Sequence, residues 1–489
     1  MMKHLIWGKD EAKSFLRRDW TGEISLKKLD KMTFIRTWFL LFESRILSNI
    51  SDMSRRSARR SENSMAARGS GGLLLCLGLL LAMPARAATP ADRDECVASA
   101  DKLDVGGAAC SRIIDDAGEQ LAERVEAFKN RGRGSFNGKD YDRAIADYGE
   151  AIKLSPKDPW AFAHRCEALE SKEDHDAAIA DCTEAIKIDP NYGWAYNNRG
   201  VAYYGLHEYD AALADHAEAI RVDSRDAWAY TRHGMAWTEK GEFDKAVADI
   251  TEAVTIDPKY AFGFGQRGQA LFRKRLITKK GGWEPAIADY SEAIKLDPNL
   301  VWLYSSRGVA YSNSLQYDLA VPDCSEVINR EPKNSSGYNC LGVAYEGLEN
   351  YNGAIAAYNQ SISINPKNGV AYWNRGNAYT ALRRIDDAIR DYDQAIAINP
   401  KDFNSFNSRG KAYVAKGDRR NNPIADSNAI ADYTQAIQLN PSYVEAYNNR
   451  GLFYETIGRR AEAIADFRKA QSIDSSDQVS KKVLRMLGF

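Results

Sequence analysis

Four tryptophans and a phenylalanine, Trp160, Trp194, Trp228, Phe262 and Trp302, follow one another at intervals of 34, 34, 34 and 40 residues. Large rings at a regular rise can hold an extended ligand by stacking and apolar burial. The competing use is structural, each ring packing on the loop before it. Beside them run amides: Asn197, Asn339, Asn407 and Asn448 in one register, and Asn198, Asn374 and Asn449 one residue further on. A carboxamide donates and accepts, so it can pair with a peptide backbone of any sequence, although asparagine also sits readily on a solvated helix face. No nucleophile elbow, phosphate loop or metal-spaced His/Cys cluster occurs, and His164, His175, His207, His216 and His233 are scattered relative to these patterns. The implied chemistry is non-covalent binding, with no catalytic residue, metal site or cofactor.

The positions are set by a repeat. Residues 193–226 read GWAYNNRGVAYYGLHEYDAALADHAEAIRVDSRD, and residues 227–260 repeat them almost position for position. A fixed period of 34 decides the fold before any other signal. Within one copy Tyr196, Gly200 and Tyr203 fall on one stripe of a first helix, and Tyr209, Ala212, Leu213, His216, Ala219 and Ile220 on one stripe of a second. Leu206-His207-Glu208 forms the turn between them, and the Asp-Pro or Asn-Pro of most copies ends the second helix. Each copy is a helical hairpin with apolar surface on more than one face, which only stacked neighbours can cover.

Ten such units run 125–158, 159–192, 193–226, 227–260, 261–300, 301–334, 335–368, 369–402, 403–443 and 444–477. The eighth position is Gly in nine of them and Cys166 in the other, and the twentieth is Ala in all ten. Small residues there let the two helices cross closely; a larger side chain would overpack the crossing at about 1–3 kcal/mol. Gly or Ala at eight, Tyr at eleven, Ala at twenty, an aromatic at twenty-four, Ala at twenty-seven and Pro at thirty-two resemble the pattern of the tetratricopeptide repeat (TPR) family. That resemblance implies an all-α, right-handed α-solenoid of about ten TPR helix-turn-helix hairpins. Its first helices would line a concave groove that takes peptides or extended protein segments, with position two facing that groove. The family's carboxylate-clamp pattern is not carried over, because Lys129 fits it but Arg133, His164 and Trp194 depart from it.

Position seven is Arg in eight units, His233 in one and Leu341 in one; position twenty-three is Asp in nine and Ala357 in the unit that has Leu341. Joint loss in one unit predicts that Arg and Asp pair across a hairpin, since removing one partner of a buried pair is costly and replacing both by apolar groups can be neutral. Two units are longer, and the extra residues are expected in the turn between their helices; one carries Arg273, Lys274, Arg275, Lys279 and Lys280. That basic run is either a solvated loop or a dock for phosphates or an anionic surface.

Residues 1–64 show no repeat and read as a non-native or disordered upstream extension, with Met53 or Met65 as the natural start. Residues 65–87 have a basic start, about a dozen apolar residues and an Ala-x-Ala end, the parts of a secretory signal peptide cleaved after Ala87. The alternative is a cytosolic tail with an uncleaved anchor. Residues 1–87 carry 16 basic and 8 acidic residues, so the remainder has 50 against 59, a net of −9. That balance disfavours nucleic acid, which needs a basic stripe.

Six cysteines remain beyond residue 87, in local pairs: Cys96 with Cys110, Cys166 with Cys182, and Cys324 with Cys340. In the repeat register the last two pairs lie level across antiparallel helices. An even count and level pairing predict three disulfides in an oxidising compartment; buried free thiols are the alternative. Residues 88–124 read as a degenerate N-terminal cap, with helices over 95–103 and 106–114, and residues 478–489 as a C-terminal capping helix. The expectation is an exported, periplasmic, non-catalytic scaffold with a protein or peptide partner and no stable membrane insertion after signal cleavage. A glycan-associated factor using the tryptophans for sugars and a regulatory subunit of an enzyme complex are the alternatives. Oligomeric state and partner identity are not encoded in any feature above.

Overall fold

The structure, a computed structural model, describes residues 87–99, 107–417 and 423–488. The upstream extension and all of the signal segment before Ala87 lie outside the described residues. Among the described residues there are 23 helices and no strand. Twenty of them form the ten hairpins, beginning with Leu121–Asn137 and Tyr141–Leu154 and ending with Val444–Thr456 and Arg460–Ile473. Each helix packs on the one before and the one after it, and the first helices of most neighbouring units also touch directly. Second helices of neighbouring units form no comparable contact. Closer spacing on one side bends the stack, so the first helices line its inner face.

The hairpins close as their small residues require. All ten alanines at position twenty are buried, from Ala144 to Ala463, at 0–1% exposure. A Cβ on the position-eight glycine would meet the side chain at position twenty-four: Tyr148 at 2.6 Å from Gly132, Tyr392 at 2.6 Å from Gly376, Phe467 at 3.0 Å from Gly451. In the second unit Cys166 replaces the glycine and bonds Cys182, the residue at position twenty-four. Cys324 bonds Cys340 of the following unit, and Cys96 bonds Cys110. All three pairs are the sequence-local ones expected, the last two from the repeat register. Each closes a loop of about 15 residues, and the chain-entropy model gives such a cross-link roughly 3 kcal/mol. Unreduced mass spectrometry of residues 88–489 should find no free thiol, and Cys166→Ser/Cys182→Ser should lower the unfolding free energy by about that amount; six free thiols would contradict the pairing.

Three local features depart from the sequence expectation. The first N-terminal helix, Pro90–Ser99, starts five residues before the expected 95, because Thr89 caps it; residues 100–103 of the expected 95–103 lie outside the described residues. The Thr89 hydroxyl accepts from the Asp92 backbone N–H at 3.2 Å, and the Thr89 N–H donates to Asp92 Oδ2 at 2.8 Å, a capping box with Asp in the reciprocal place. Second, the turn of the hairpins puts position fifteen in the left-handed region: Lys139, Glu173, His207, Leu315, Glu349 and Arg383 at φ 58–64°, with glycine only at Gly241 and Gly458. The Glu208 N–H reaching the Tyr203 carbonyl at 2.9 Å shows the closing bond of that turn. Third, the insertion in 261–300 does not lengthen the turn alone. It extends the first helix to Ala261–Thr278. Arg273 then pairs with Glu239 at 2.5 Å and Lys274 pairs with Asp244, so two of the five basic residues are held by the preceding unit.

At the far end Gln478–Leu487 lies over the last hairpin. Leu484 is buried with Tyr454, Ala463 and Phe467, and Ser480 is fully buried. No described helix is long and apolar enough to cross a membrane.

Candidate functional site

The Arg–Asp pairing holds in every unit that has both residues. Arg199 Nε and Nη2 donate to the two carboxylate oxygens of Asp215 at 2.8 and 2.7 Å, and the same fork joins Arg131 to Asp147, Arg165 to Asp181, Arg267 to Asp289, Arg307 to Asp323, Arg375 to Asp391, Arg409 to Asp432 and Arg450 to Asp466. His233 Nδ1 meets Asp249 at 2.8 Å in the unit without the arginine. Two further contacts were not read from the sequence. In six units the third guanidinium nitrogen reaches back to position twenty-five of the preceding unit, as Arg199 to Thr183 at 3.0 Å, Arg307 to Ser291 at 3.1 Å and Arg450 to Thr434 at 2.8 Å; Arg165 follows Gly149, which offers no side-chain acceptor. Each guanidinium also lies over the ring at position four, such as Phe264 at 5.3 Å from Arg267. One arginine therefore ties its own hairpin shut and fastens it to the previous one. The bonded Asp215 carboxylate raises the Arg199 pKa, while burial raises that of Asp215 against the pull of the guanidinium.

The position-two rings of the first helices, with His164 and Arg232 among them, form a run across units. His164 stacks on Trp160 at 3.6 Å between centroids and 17°, and faces Trp194 at 6.2 Å and 25°; Trp194 faces Trp228 at the same spacing and angle. The Arg232 guanidinium sits 4.8 Å from the Trp228 ring centre and 5.6 Å from that of Phe262, and Phe262 meets Trp302 edge-on at 6.3 Å. Lys129 covers the outer side of Trp160 at 4.7 Å. The rings pack on one another across units, and some also meet their own preceding loop, as Phe262 does Tyr260 at 6.1 Å. Trp194 is 40% exposed, the most open of the set.

Arg232 differs from the paired arginines. Its Nε is buried without a hydrogen-bond partner, and no carboxylate lies within ion-pair distance of it among the described residues. Burial pulls its pKa down, with Tyr260, Glu170 and Tyr204 nearby pulling the other way.

The amides divide by register. Asn197 and Asn407 are 1% exposed: Asn197 donates to Asp226 at 2.8 Å, and Asn407 to Glu445 at 3.2 Å. Asn448 is buried as well and donates to Asp477 at 3.0 Å. These three tie a first helix to the cap or first turn of the helix that follows its hairpin. Asn374 and Asn449 donate to the position-five amides Asn339 and Asn407 of the preceding units at 3.1 and 3.0 Å, and Asn198 donates to the Trp194 carbonyl at 3.0 Å. The amide set is engaged within the scaffold, not held forward for a ligand backbone.

Three titratable groups near the tryptophan run are shifted by burial. His164 is lowered to about 4 and His216 to about 3, while Glu167 is raised to about 7, with Glu170 adding to the rise. The folded state holds the Glu167 proton more tightly than the unfolded chain, so this group favours folding at low pH and loses that contribution as pH climbs from about 4.5 to 7. Glu167→Gln should stabilise the chain above pH 7, by at most about 3 kcal/mol, and make no difference at pH 4.5. Denaturant titrations at both pH values check it. The histidines act in the opposite sense, their contribution falling away below about pH 6.5.

Family models for the TPR repeat match residues 135–158, 167–261, 276–314, 347–417 and 426–477. The chain belongs to the tetratricopeptide repeat family. Proteins of this family are generally non-catalytic scaffolds, and the repeats support a protein–protein interaction scaffold here, with proteins as its partners. Among solved structures, yeast Tom70 is similar at 15% identity over 75% of this chain and 95% of its own, with a TM-score of 0.42. A tetratricopeptide repeat protein from Parabacteroides merdae is 16% identical over 53% of this chain and 98% of its own, TM-score 0.44, and MamA is 26% identical over 34% and 94%, TM-score 0.30. No curated protein matches the sequence.

Proposed function

We propose that this chain is exported to the cell envelope and holds an extended segment of a partner protein along its inner face without acting on it chemically. The observation that carries the reading is Arg232. In a scaffold whose position-seven arginines all have a carboxylate, this inner-face guanidinium lies between Trp228 and Phe262 with none. A partly desolvated cation in that state favours a ligand that brings an acidic group, and the neighbouring rings favour one that brings apolar surface. The three disulfides are compatible with an oxidising compartment. The sugar alternative has less support, because it calls for open ring faces and these rings cover one another.

The test is a peptide array probed with residues 88–489 and with Trp194→Ala/Arg232→Ala. Bound peptides should be enriched in Asp or Glu beside an apolar residue, and the double variant should lose at least tenfold in affinity with an unchanged melting profile. Equal binding by parent and variant would overturn the assignment.

A further inference from the structure

A hollow of about 470 Å³ lies further along the same face, across the units 301–334, 335–368 and 369–402. Glu346, Tyr317, Tyr351, Trp373, Asn374 and Asn377 are among the residues lining it. Glu346 is half-buried, and its carboxylate accepts one hydrogen bond, from the Tyr358 hydroxyl at 2.9 Å. No cation lies within ion-pair distance of it among the described residues. The nine aspartates at position twenty-three provide the contrast within this same protein: all are matched by Arg or His. A carboxylate taken partly out of water without a counter-charge is unfavourable unless something supplies one, and burial accordingly raises the Glu346 pKa.

We propose that this hollow receives a lysine or arginine side chain of the bound segment, with Glu346 as its counter-charge and Tyr317, Tyr351 and Trp373 along its stem. An aliphatic stem ending in a cation suits such a lining: the methylenes bury against rings and the charge meets the carboxylate. Asn374 and Asn377 are neutral, so the pocket's charge preference rests on one group. The inference rests on the groove reading above and adds polarity to it. The segment would present an acidic residue to Arg232 and a basic one to Glu346, three units apart.

The experiment compares peptides in which one position is Lys, Arg or norleucine, titrated against residues 88–489 and against Glu346→Gln, with melting profiles confirming that the variant folds. The parent should prefer Lys and Arg over norleucine by at least tenfold, and in Glu346→Gln that preference should shrink to within twofold. If norleucine peptides bind the parent and a cation brings no gain, or if Glu346→Gln keeps the preference, the pocket assignment falls while the groove stands. If peptides of no kind bind the parent, the groove itself fails and this assignment goes with it.

Discussion

Arg199→Leu should destabilise the third unit by about 3–5 kcal/mol, because it leaves the Asp215 carboxylate buried and unpaired at 5% exposure. It also removes the link to Thr183 and the contact with the Tyr196 ring, so two hairpins loosen rather than one. The double variant Arg199→Leu/Asp215→Ala should recover most of the loss, since burying neither charge removes the desolvation cost. Unit 335–368 already has this arrangement, with Leu341 facing a scaffold in which Ala357 is buried at 6%. Solenoids open in segments, so amide exchange across residues 193–226 reads the effect better than one global midpoint. Equal loss in single and double variants would show that the pair adds nothing as a pair.

The second large effect is expected at Gly342→Ala. A Cβ there would lie 2.3 Å from Tyr358 Cε1, and Tyr358 is fully buried with its hydroxyl bonded to Glu346. The ring cannot swing away without breaking that bond or moving its helix. Overpacking of this kind costs about 1–3 kcal/mol. Gly451→Ala is a milder control, since the Phe467 ring would stand 3.0 Å off and has no hydroxyl to hold it. Denaturant midpoints of the two variants should rank Gly342→Ala well below Gly451→Ala; equal midpoints would mean the crossing is looser than the geometry implies.

Much of this scaffold was legible because a repeat reports its contacts ten times over. Gly at eight and Ala at twenty announce a close crossing, and the joint loss at Leu341 and Ala357 announces the ion pair. The third partner of six arginines escaped notice because the residues that supply it at position twenty-five are variously Ser, Thr, Asn and Asp, which look unrelated until a guanidinium is seen to donate to any of them.

The site was harder to read, for reasons of angle. Adjacent residues on a helix point about 100° apart, so a small error in placing the groove decides whether Asn197 faces a ligand or the next unit; it faces the next unit. Spacing located the tryptophans but could not show that His164, from another position, completes the stack at 3.6 Å. Nor could it separate Arg232 and Glu346 from their neighbours, because the absence of a partner is visible only in three dimensions. Helix ends moved for local causes, a capping box at Thr89 and a continued first helix up to Thr278.

The most direct test of the central claim is site-specific photocrosslinking in cell-envelope extract, with a benzophenone side chain placed at Trp194 on the inner face or at Glu218 on an outer second helix. The account predicts discrete protein adducts from position 194 that disappear in Arg232→Ala, and none from position 218. Adducts only from 218, or the same set from both, would contradict it.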